Sequence, residues 1–237
     1  MSSGLYVAAA GAVAQSNALD ATANNIANAS TVGFRGERVT FQEAMGKARS
    51  KDITLVDGGT ASSDAEAGAL TQTGNPLDCA LEGDGMFAVT TPQGQRYTRA
   101  GNFQLDAQHQ LVTSEGATVN GEAGAPITVP DGTGAVSIAP DGTVSADGAT
   151  VGKLQLVRFN PSQLRRQGGT LYAATGKPSG GDPPQVRSGM LESSNVNPVR
   201  GVVDLVKVSR TYESLMKVIQ GYSDIEQRAA TTLGGGK

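Results

Sequence analysis

The sequence is poor in the residues from which most active sites are built. Its 237 residues include one cysteine, one histidine and no tryptophan, and aromatic residues make up 4% of the chain. One cysteine excludes an intramolecular disulfide, and one histidine with one cysteine furnishes no convincing zinc site. The net charge is −3, and no cluster of lysines and arginines alternates with aromatics as a nucleic-acid partner would require. We therefore expect no metal, no cofactor and no nucleic acid.

Long hydrophobic runs are also missing. The longest, Leu5–Ala14, has ten residues, about half of what a bilayer-spanning helix needs. The run imitates a secretory signal peptide, because it ends in the small residues Ala12-Val13-Ala14. No lysine or arginine precedes Arg35, however, so the positive start of such a peptide is absent. We expect neither membrane insertion nor a cleaved signal peptide.

The motifs that could carry catalysis all have structural explanations. His109 lies in the polar run Asp106–Gln110, which predicts a solvated turn, and Cys79 is expected to be a small buried apolar residue. Ser214–Lys217 matches Ser-x-x-Lys but falls within a predicted helix. Gly83–Gly85 lacks the further glycines and the lysine of a phosphate-binding loop. The sequence therefore does not predict an enzyme.

What the chain does have is an N-terminal segment with almost no charge. Asp20 is the only charged residue among residues 1–34, and Leu5, Ala12, Leu19 and Ile26 recur every seven positions. A helix without a charged face requires burial on more than one side. We interpret this helix as an assembly face, in which asparagines could bond across helices once water is excluded; these are Asn24, Asn25 and Asn28.

The C-terminal segment carries a coiled-coil pattern. Its apolar residues alternate at spacings of three and four, while most charged residues fall off this seam. The seam consists of Leu205, Val208, Tyr212, Leu215, Ile219 and Tyr222. Asn197 as a cap and Pro198 behind it predict a helix that starts near Val199 and runs for about 30 residues. The alternative is that the two terminal helices simply pack on each other within one chain.

The middle of the chain changes to the alternating pattern of strands. We predict strands at Ile127–Val129, Val136–Ile138 and Leu154–Phe159, separated by turns at Asp-Gly dipeptides. These dipeptides are Asp84-Gly85, Asp131-Gly132, Asp141-Gly142 and Asp147-Gly148. The predicted fold is mainly β, a central antiparallel β domain with long N- and C-terminal α-helices. The predicted divisions are an N-terminal assembly helix (1–42), a linker or extended arm (43–69), the β domain (70–190) and a C-terminal assembly helix with a flexible tail (191–237).

Three blocks in this order carry a family resemblance. Ala23–Phe34 resembles the N-terminal signature of bacterial flagellar rod and hook proteins, and Gly189–Pro198 resembles their C-terminal signature. The stretch from Gly83 to Gly121 is similar to the core block of the same family. The resemblance implies a structural subunit of the basal-body rod, which polymerises through its terminal helices into a tubular shaft that transmits torque.

Within the family, the chain looks most like the proximal rod member. This resemblance lies in Gly121–Pro130 followed by Val151–Val157, and in the short segment 43–67, where the distal rod protein usually carries a longer insertion. A distal rod or hook-type axial protein is the alternative within the family. An extracellular ligand-binding β domain on a helical stalk is the alternative from another class.

The resemblance also implies partners and a location. We expect copies of the chain itself, other rod proteins and the flagellar export apparatus as partners, and a place in the rod that crosses the periplasm. Because the terminal helices bury little alone, we expect them to be loosely held in an isolated copy. The predicted assembly interface comprises Leu5, Ala12, Leu19, Asn24, Asn25, Ile26, Asn28, Phe34, Asn195, Val196, Asn197, Leu205, Val208, Tyr212, Leu215, Ile219 and Tyr222.

Overall fold

The computed structural model describes residues 3–40, 43–45, 54–56, 60–64, 66–181 and 183–234. Nineteen strands lie between one helix near each end of these residues, which confirms the predicted fold class. The helices are α1 (Ser3–Ala27) and α2 (Pro198–Gly234), and a short 3-10 helix covers Pro161–Gln163. The strands are β1 (Glu37–Thr40), β2 (Glu43–Met45), β3 (Thr54–Val56), β4 (Thr60–Ser63), β5 (Leu70–Gln72), β6 (Cys79–Glu82), β7 (Met86–Thr91), β8 (Gly94–Thr98), β9 (Phe103–Leu105), β10 (Leu111–Thr113), β11 (Thr118–Val119), β12 (Val136–Ile138), β13 (Thr143–Ala146), β14 (Ala149–Lys153), β15 (Leu156–Val157), β16 (Leu164–Arg166), β17 (Leu171–Ala174), β18 (Gln185–Ser188) and β19 (Met190–Glu192).

These elements form two compact units. The helical unit takes its described residues from Met1–Ala27, Glu37–Asp64 and Asn197–Lys237, so it combines both ends of the chain. In it, β1 pairs with β4 and β2 pairs with β3, both antiparallel. The β unit takes its described residues from Asn28–Gly36 and Ala65–Val196. Each unit therefore contains segments that lie far apart in sequence.

The main sheet of the β unit has the strand order β16-β17-β8-β7-β11-β10-β9, and β15 also pairs with β7. All of these pairs are antiparallel. The core forms around Phe87 and Phe103, whose rings meet edge to face with centroids 5.0 Å apart. Tyr97, from the same block of sequence, is half-buried and packs edge-on against Phe159. The family-like block thus supplies the centre of this unit.

The Asp-Gly dipeptides mark turns as predicted, with one shift. Gly132, Gly142 and Gly148 have positive φ, and Asp147 is also left-handed at φ 48°, which gives the tight hairpin between β13 and β14. At the remaining dipeptide, Asp84-Gly85, the left-handed residue is Gly83 and not Gly85.

Two of the predicted strands are shorter than the pattern indicates. Ile127–Val129 makes only an isolated bridge, between Thr128 and Gln110. The strand predicted over Leu154–Phe159 is reduced to Leu156–Val157. The Leu154 N–H donates to the Gly142 carbonyl, whereas the next residue bonds to Asn120. Successive residues bond to different segments, so no continuous ladder forms at this start of the predicted strand.

Helix α2 begins at the predicted place. The Asn197 side-chain oxygen accepts the N–H of Arg200 at 3.1 Å, so Asn197 caps the helix ahead of Pro198. The helix has 37 residues and continues to Gly234, about 55 Å at the usual rise. It extends a few residues beyond the predicted end. Neither described helix is long and apolar enough to cross a membrane.

Candidate assembly interface

Helices α1 and α2 pack on each other in antiparallel fashion within the helical unit. Glycines mark the contacts, because a Cβ added at Gly4 would lie 2.8 Å from the Tyr222 hydroxyl oxygen, and one at Gly11 would lie 3.4 Å from Leu215 Cδ1. At the other end of α1, Ile26 lies against Gly201. Residue numbers rise along α1 as they fall along the facing positions of α2, so the two helices run antiparallel. The missing side chains therefore let the two backbones approach closely.

The predicted seam of α2 faces this contact. All six seam residues are half-buried, and so are Leu5, Leu19 and Ile26 of α1, while Ala12 is buried. In a single chain the helices therefore adopt the arrangement that the sequence left as the alternative, in which they pack on each other. That the ends are loosely held in an isolated copy stays a prediction.

A second apolar face of α2 lies opposite the seam. Val199, Val202, Val203 and Val206 are exposed to 75%, 50%, 50% and 45%. Their spacing places them on one side of the helix, and at about 100° per residue this side points away from the seam. The face is flanked by Arg200 and Lys207. Sequence analysis missed it, although the same helical periodicity that found the seam could have found the valines.

Helix α1 also leaves apolar side chains in solvent. Tyr6 and Val13, seven positions apart, are both more than half exposed, and Val7 is exposed as well. Tyr6 is the only aromatic among the exposed large apolar residues of the described chain, and it belongs to the helical unit. The described part of the β unit therefore shows no exposed aromatic platform, the feature that would favour the stalked ligand-binding alternative.

The predicted interface asparagines have contacts inside the chain. The Asn25 amide donates to the Glu37 carbonyl and accepts the Glu37 N–H, both at 2.8 Å. Asn28 accepts a hydrogen bond from the Thr31 hydroxyl, and Asn24 is exposed. The amide of Asn25 thus ties α1 to the first strand of its own unit, whatever it does on assembly.

In the β unit, the N- and C-terminal signature segments lie side by side. The Gly33 N–H donates to the Glu192 carbonyl at 2.7 Å, and the Gly36 N–H donates to Asn195 Oδ1 at 2.8 Å. The Asn195 N–H in turn donates to the Phe34 carbonyl, with the nitrogen 3.4 Å from the oxygen. Val196, the next residue, is half-buried. Neither segment alone predicts this pairing, because the two are separated by most of the chain.

Phe34 is a core residue of this unit. Its side chain is 1% exposed, and the Arg166 guanidinium lies over its ring, 4.4 Å from the centroid. Arg166 also lies near the Tyr172 ring and donates to its hydroxyl. Phe34 was predicted as an interface residue, and its burial here provides a different reason for an aromatic at this position.

A buried group of charges holds these segments. The Glu192 side chain is 1% exposed; its Oε1 lies 3.3 Å from Arg35 Nη2 and accepts the Gly68 N–H at 3.2 Å. Its Oε2 lies 3.2 Å from Arg99 Nε, an ion-pair distance without the alignment of a hydrogen bond. Arg99 is as deeply buried and donates from Nη2 to the Gly83 carbonyl at 2.7 Å. Burial lowers the pKa of Arg99 to about 10, and the Glu192 carboxylate opposes that shift.

The remaining reactive side chains have ordinary surroundings. Cys79 is fully buried, and burial, followed by the nearby Asp78 charge, raises its pKa to about 12. This confirms its prediction as a buried apolar residue. His109 lies in a turn at φ 55°, half-exposed and 2.5 Å from an Asp131 oxygen. No three His, Cys, Asp or Glu residues come together in a metal-binding group anywhere in the described ranges.

Comparison with known families matches three parts of the chain. Residues 5–35 match a family described as flagella basal body rod protein. Residues 80–146 match the D1 domain of the flagellar hook protein FlgE/F/G. Residues 187–232 match the C-terminal part of the flagellar basal body rod FlgEFG protein. The two outer matches include the terminal helices and the signature segments described above.

Curated relatives match over nearly the whole chain. The flagellar basal-body rod protein FlgF of Escherichia coli (strain K12) is 38% identical over 97% of both chains. FlgF of Rhizobium meliloti (strain 1021) is 32% identical over the full length of both. The flagellar basal-body rod protein FlgG of Bacillus subtilis (strain 168) is 35% identical over 88% of this chain and 90% of its own.

Proposed function

The chain belongs to the family of flagellar basal-body rod proteins, and from that we propose that it forms a proximal segment of the rod by stacking copies through its terminal helices. As a member of this family it is a structural subunit and not an enzyme. Its function is mechanical, since a rod carries torque through the contacts between neighbouring copies. The family also implies assembly with other rod components.

The valine face of α2 (Val199, Val202, Val203 and Val206) is the observation that supports stacking through the helices. The seam is already occupied by α1 of the same chain, so an additional partner needs a different surface. Burying a fully exposed valine side chain stabilises by about 1.5 kcal/mol or more. These four side chains are about half exposed or more, so burying them against a neighbouring copy contributes roughly 3 to 6 kcal/mol. A face of α2 that contacts a different face of the next copy makes a heterologous contact, which continues along an axis without closing.

The proximal position rests on sequence pattern. The features are the segments Gly121–Pro130 and Val151–Val157 and the short stretch between residues 43 and 67. Identity alone does not separate the two rod types, because FlgF relatives are 32% to 38% identical and FlgG relatives 33% to 35%. Labelling the protein in isolated basal bodies tests the position, and a label at the hook-facing end of the rod would contradict it.

Export through the flagellum's own apparatus without a cleaved peptide is part of the same proposal. N-terminal sequencing of protein taken from assembled rods tests it. A chain that begins at Gln15, after the small residues of the apolar run, would overturn it.

The stacking proposal is tested by Val202→Asp in cells whose only copy of the protein is the variant. A charge at Val202 opposes burial against a neighbouring copy, whereas in a single copy the half-exposed side chain can reach solvent. We expect the purified variant to keep its helix content and unfolding temperature, while cells lose rods and motility. Thr211→Asp is the control, since it adds the same charge to an exposed position of the same helix away from the valines. Normal rods with Val202→Asp would refute the use of this face.

Leu215→Asp probes the other face. Leu215 lies against Gly11 of α1, so an aspartate at this position should separate the two helices of one copy as well as block assembly. The β unit should remain folded, which can be checked by calorimetry or by the failure of a thiol reagent to react with the buried Cys79. Motile cells that carry Leu215→Asp would show that the seam is not required.

A further inference from the structure

We propose that Glu192 is a latch that lets the β unit hold residues 28–36 only after residues 189–196 have folded into it. The inference concerns the order in which one chain completes itself, and it does not depend on the segment of the rod that the chain forms. The latch is the buried group of Arg35, Arg99 and Glu192. Its three members come from the beginning, the middle and the end of the sequence.

The first observation is that the C-terminal segment bonds to residues 28–36 at several points. Gly33, Phe34 and Gly36 all bond to Glu192 or Asn195. Arg35 adds the ion pair with Glu192, and the Arg166 side chain donates to the Arg35 carbonyl. A β unit without its C-terminal segment would still offer residues 28–36 the contacts of Arg166 and the close approach of Gly33 to the Ala100 backbone, but none of the hydrogen bonds that Glu192 and Asn195 make.

The second observation is that the C-terminal segment has supports of its own. β19 pairs with β5 over Met190–Glu192, and β18 pairs with β6 over Gln185–Ser188. The Gly68 N–H donates to the Glu192 carboxylate, and a Cβ at Gly68 would lie 1.7 Å from the Ser193 carbonyl oxygen, so the two backbones touch. These contacts involve neither Arg35 nor its neighbours. Folding-in of 189–196 can therefore precede that of 28–36, whereas in the reverse order residues 28–36 would dock without the bonds that Glu192 and Asn195 provide.

The third observation is the charge balance. The charged groups that act on Arg99 are Glu192, Arg35 and Asp84, and Asp84 is largely exposed. Before Glu192 arrives, docking Arg35 beside Arg99 would bring two cations together in a buried place, which is unfavourable. Once the carboxylate is present, each of its oxygens faces one guanidinium. Glu192 thus turns a repulsive pair into a compensated one, and it is the last of the three to be synthesised.

The test is hydrogen exchange, followed by mass spectrometry of peptides, on the full-length purified chain. Glu192→Gln keeps the shape of the side chain but removes its charge. We expect residues 28–36 to lose protection by about a hundredfold or more, as for a broken buried ion pair. Glu82→Gln is the matched control, because Glu82 makes an exposed ion pair with Arg187 at 2.6 Å and faces the same C-terminal region. Glu82→Gln should leave residues 28–36 within a factor of three of the unchanged chain.

Arg35→Gln distinguishes an ordered latch from general loss of structure. It removes only the N-terminal member, so residues 28–36 should exchange faster while residues 189–196 and the thiol of Cys79 stay protected. Equal loss of protection in both segments with Arg35→Gln would overturn the inference. So would unchanged protection of residues 28–36 in Glu192→Gln. If Glu192→Gln leaves Cys79 reactive, the chain has unfolded as a whole and the Arg35→Gln result decides.

Discussion

Replacing Phe34 by alanine tests whether the N-terminal signature is packed in a single copy. Its ring is 1% exposed and lies under Arg166 at 4.4 Å. Truncating a buried phenylalanine costs about 3 to 5 kcal/mol, and loss of the cation–π contact adds up to about 1 kcal/mol. We expect the β unit to lose about 4 kcal/mol. For a unit of this size that corresponds to a fall of roughly 10 °C in its unfolding temperature.

The assay is calorimetric unfolding of the purified chain, with circular dichroism to separate the helical transition. Phe159→Ala is the control in the same unit, since Phe159 is half-buried and makes one edge contact with Tyr97. We expect that control to lose about 1 to 2 kcal/mol. A loss below 1 kcal/mol for Phe34→Ala would refute the reasoning. It would mean that residues 28–36 are not packed in solution and that Phe34 is available to neighbouring copies.

Two further predictions concern Gly33 and Cys79. Gly33→Ala should destabilise the chain by several kcal/mol in urea unfolding, because Gly33 has φ 66° and its new Cβ would lie 2.3 Å from the Ala100 nitrogen. Gly74→Ala is the control, since Gly74 has φ 76° but lies in open space, and it should cost about 1 kcal/mol. Equal costs for the two substitutions would contradict the close approach of Gly33 to Ala100. For Cys79, burial raises the pKa from 9.0 to about 12, so above pH 9 the unfolded chain releases a proton that the folded chain keeps, and stability falls between pH 9 and 12 by up to about 4 kcal/mol. Cys79→Ala should lack this part of the alkaline loss in urea titrations at each pH, and identical pH profiles would count against the burial.

The local features of the fold followed from the sequence. Asn197 with Pro198 predicts the start of α2, and three of the four Asp-Gly pairs mark their turns, because caps and turns depend on a few adjacent residues. The seam also followed from its spacing. These features need no knowledge of distant partners.

The tertiary partners did not follow. The sequence places Leu215 on an apolar seam but leaves open whether α1 of the same chain or another copy covers it. Glu192 lies within the C-terminal signature, but nothing in that stretch of sequence indicates that its carboxylate is buried. Its burial depends on two arginines that lie far away in sequence, and only the folded strands bring them together. Likewise, the Leu154–Phe159 pattern predicts a long strand because alternation cannot reveal which segment each residue will bond to.

The buried thiol of Cys79 makes this chain convenient to label at an introduced surface cysteine. It is the chain's sole cysteine, and its full enclosure keeps maleimide dyes out under mild conditions. A cysteine introduced on the outside would therefore take up one fluorophore per molecule without the native thiol being removed first. Single-particle imaging of growing flagella could then count subunits by brightness, with the original sequence otherwise intact.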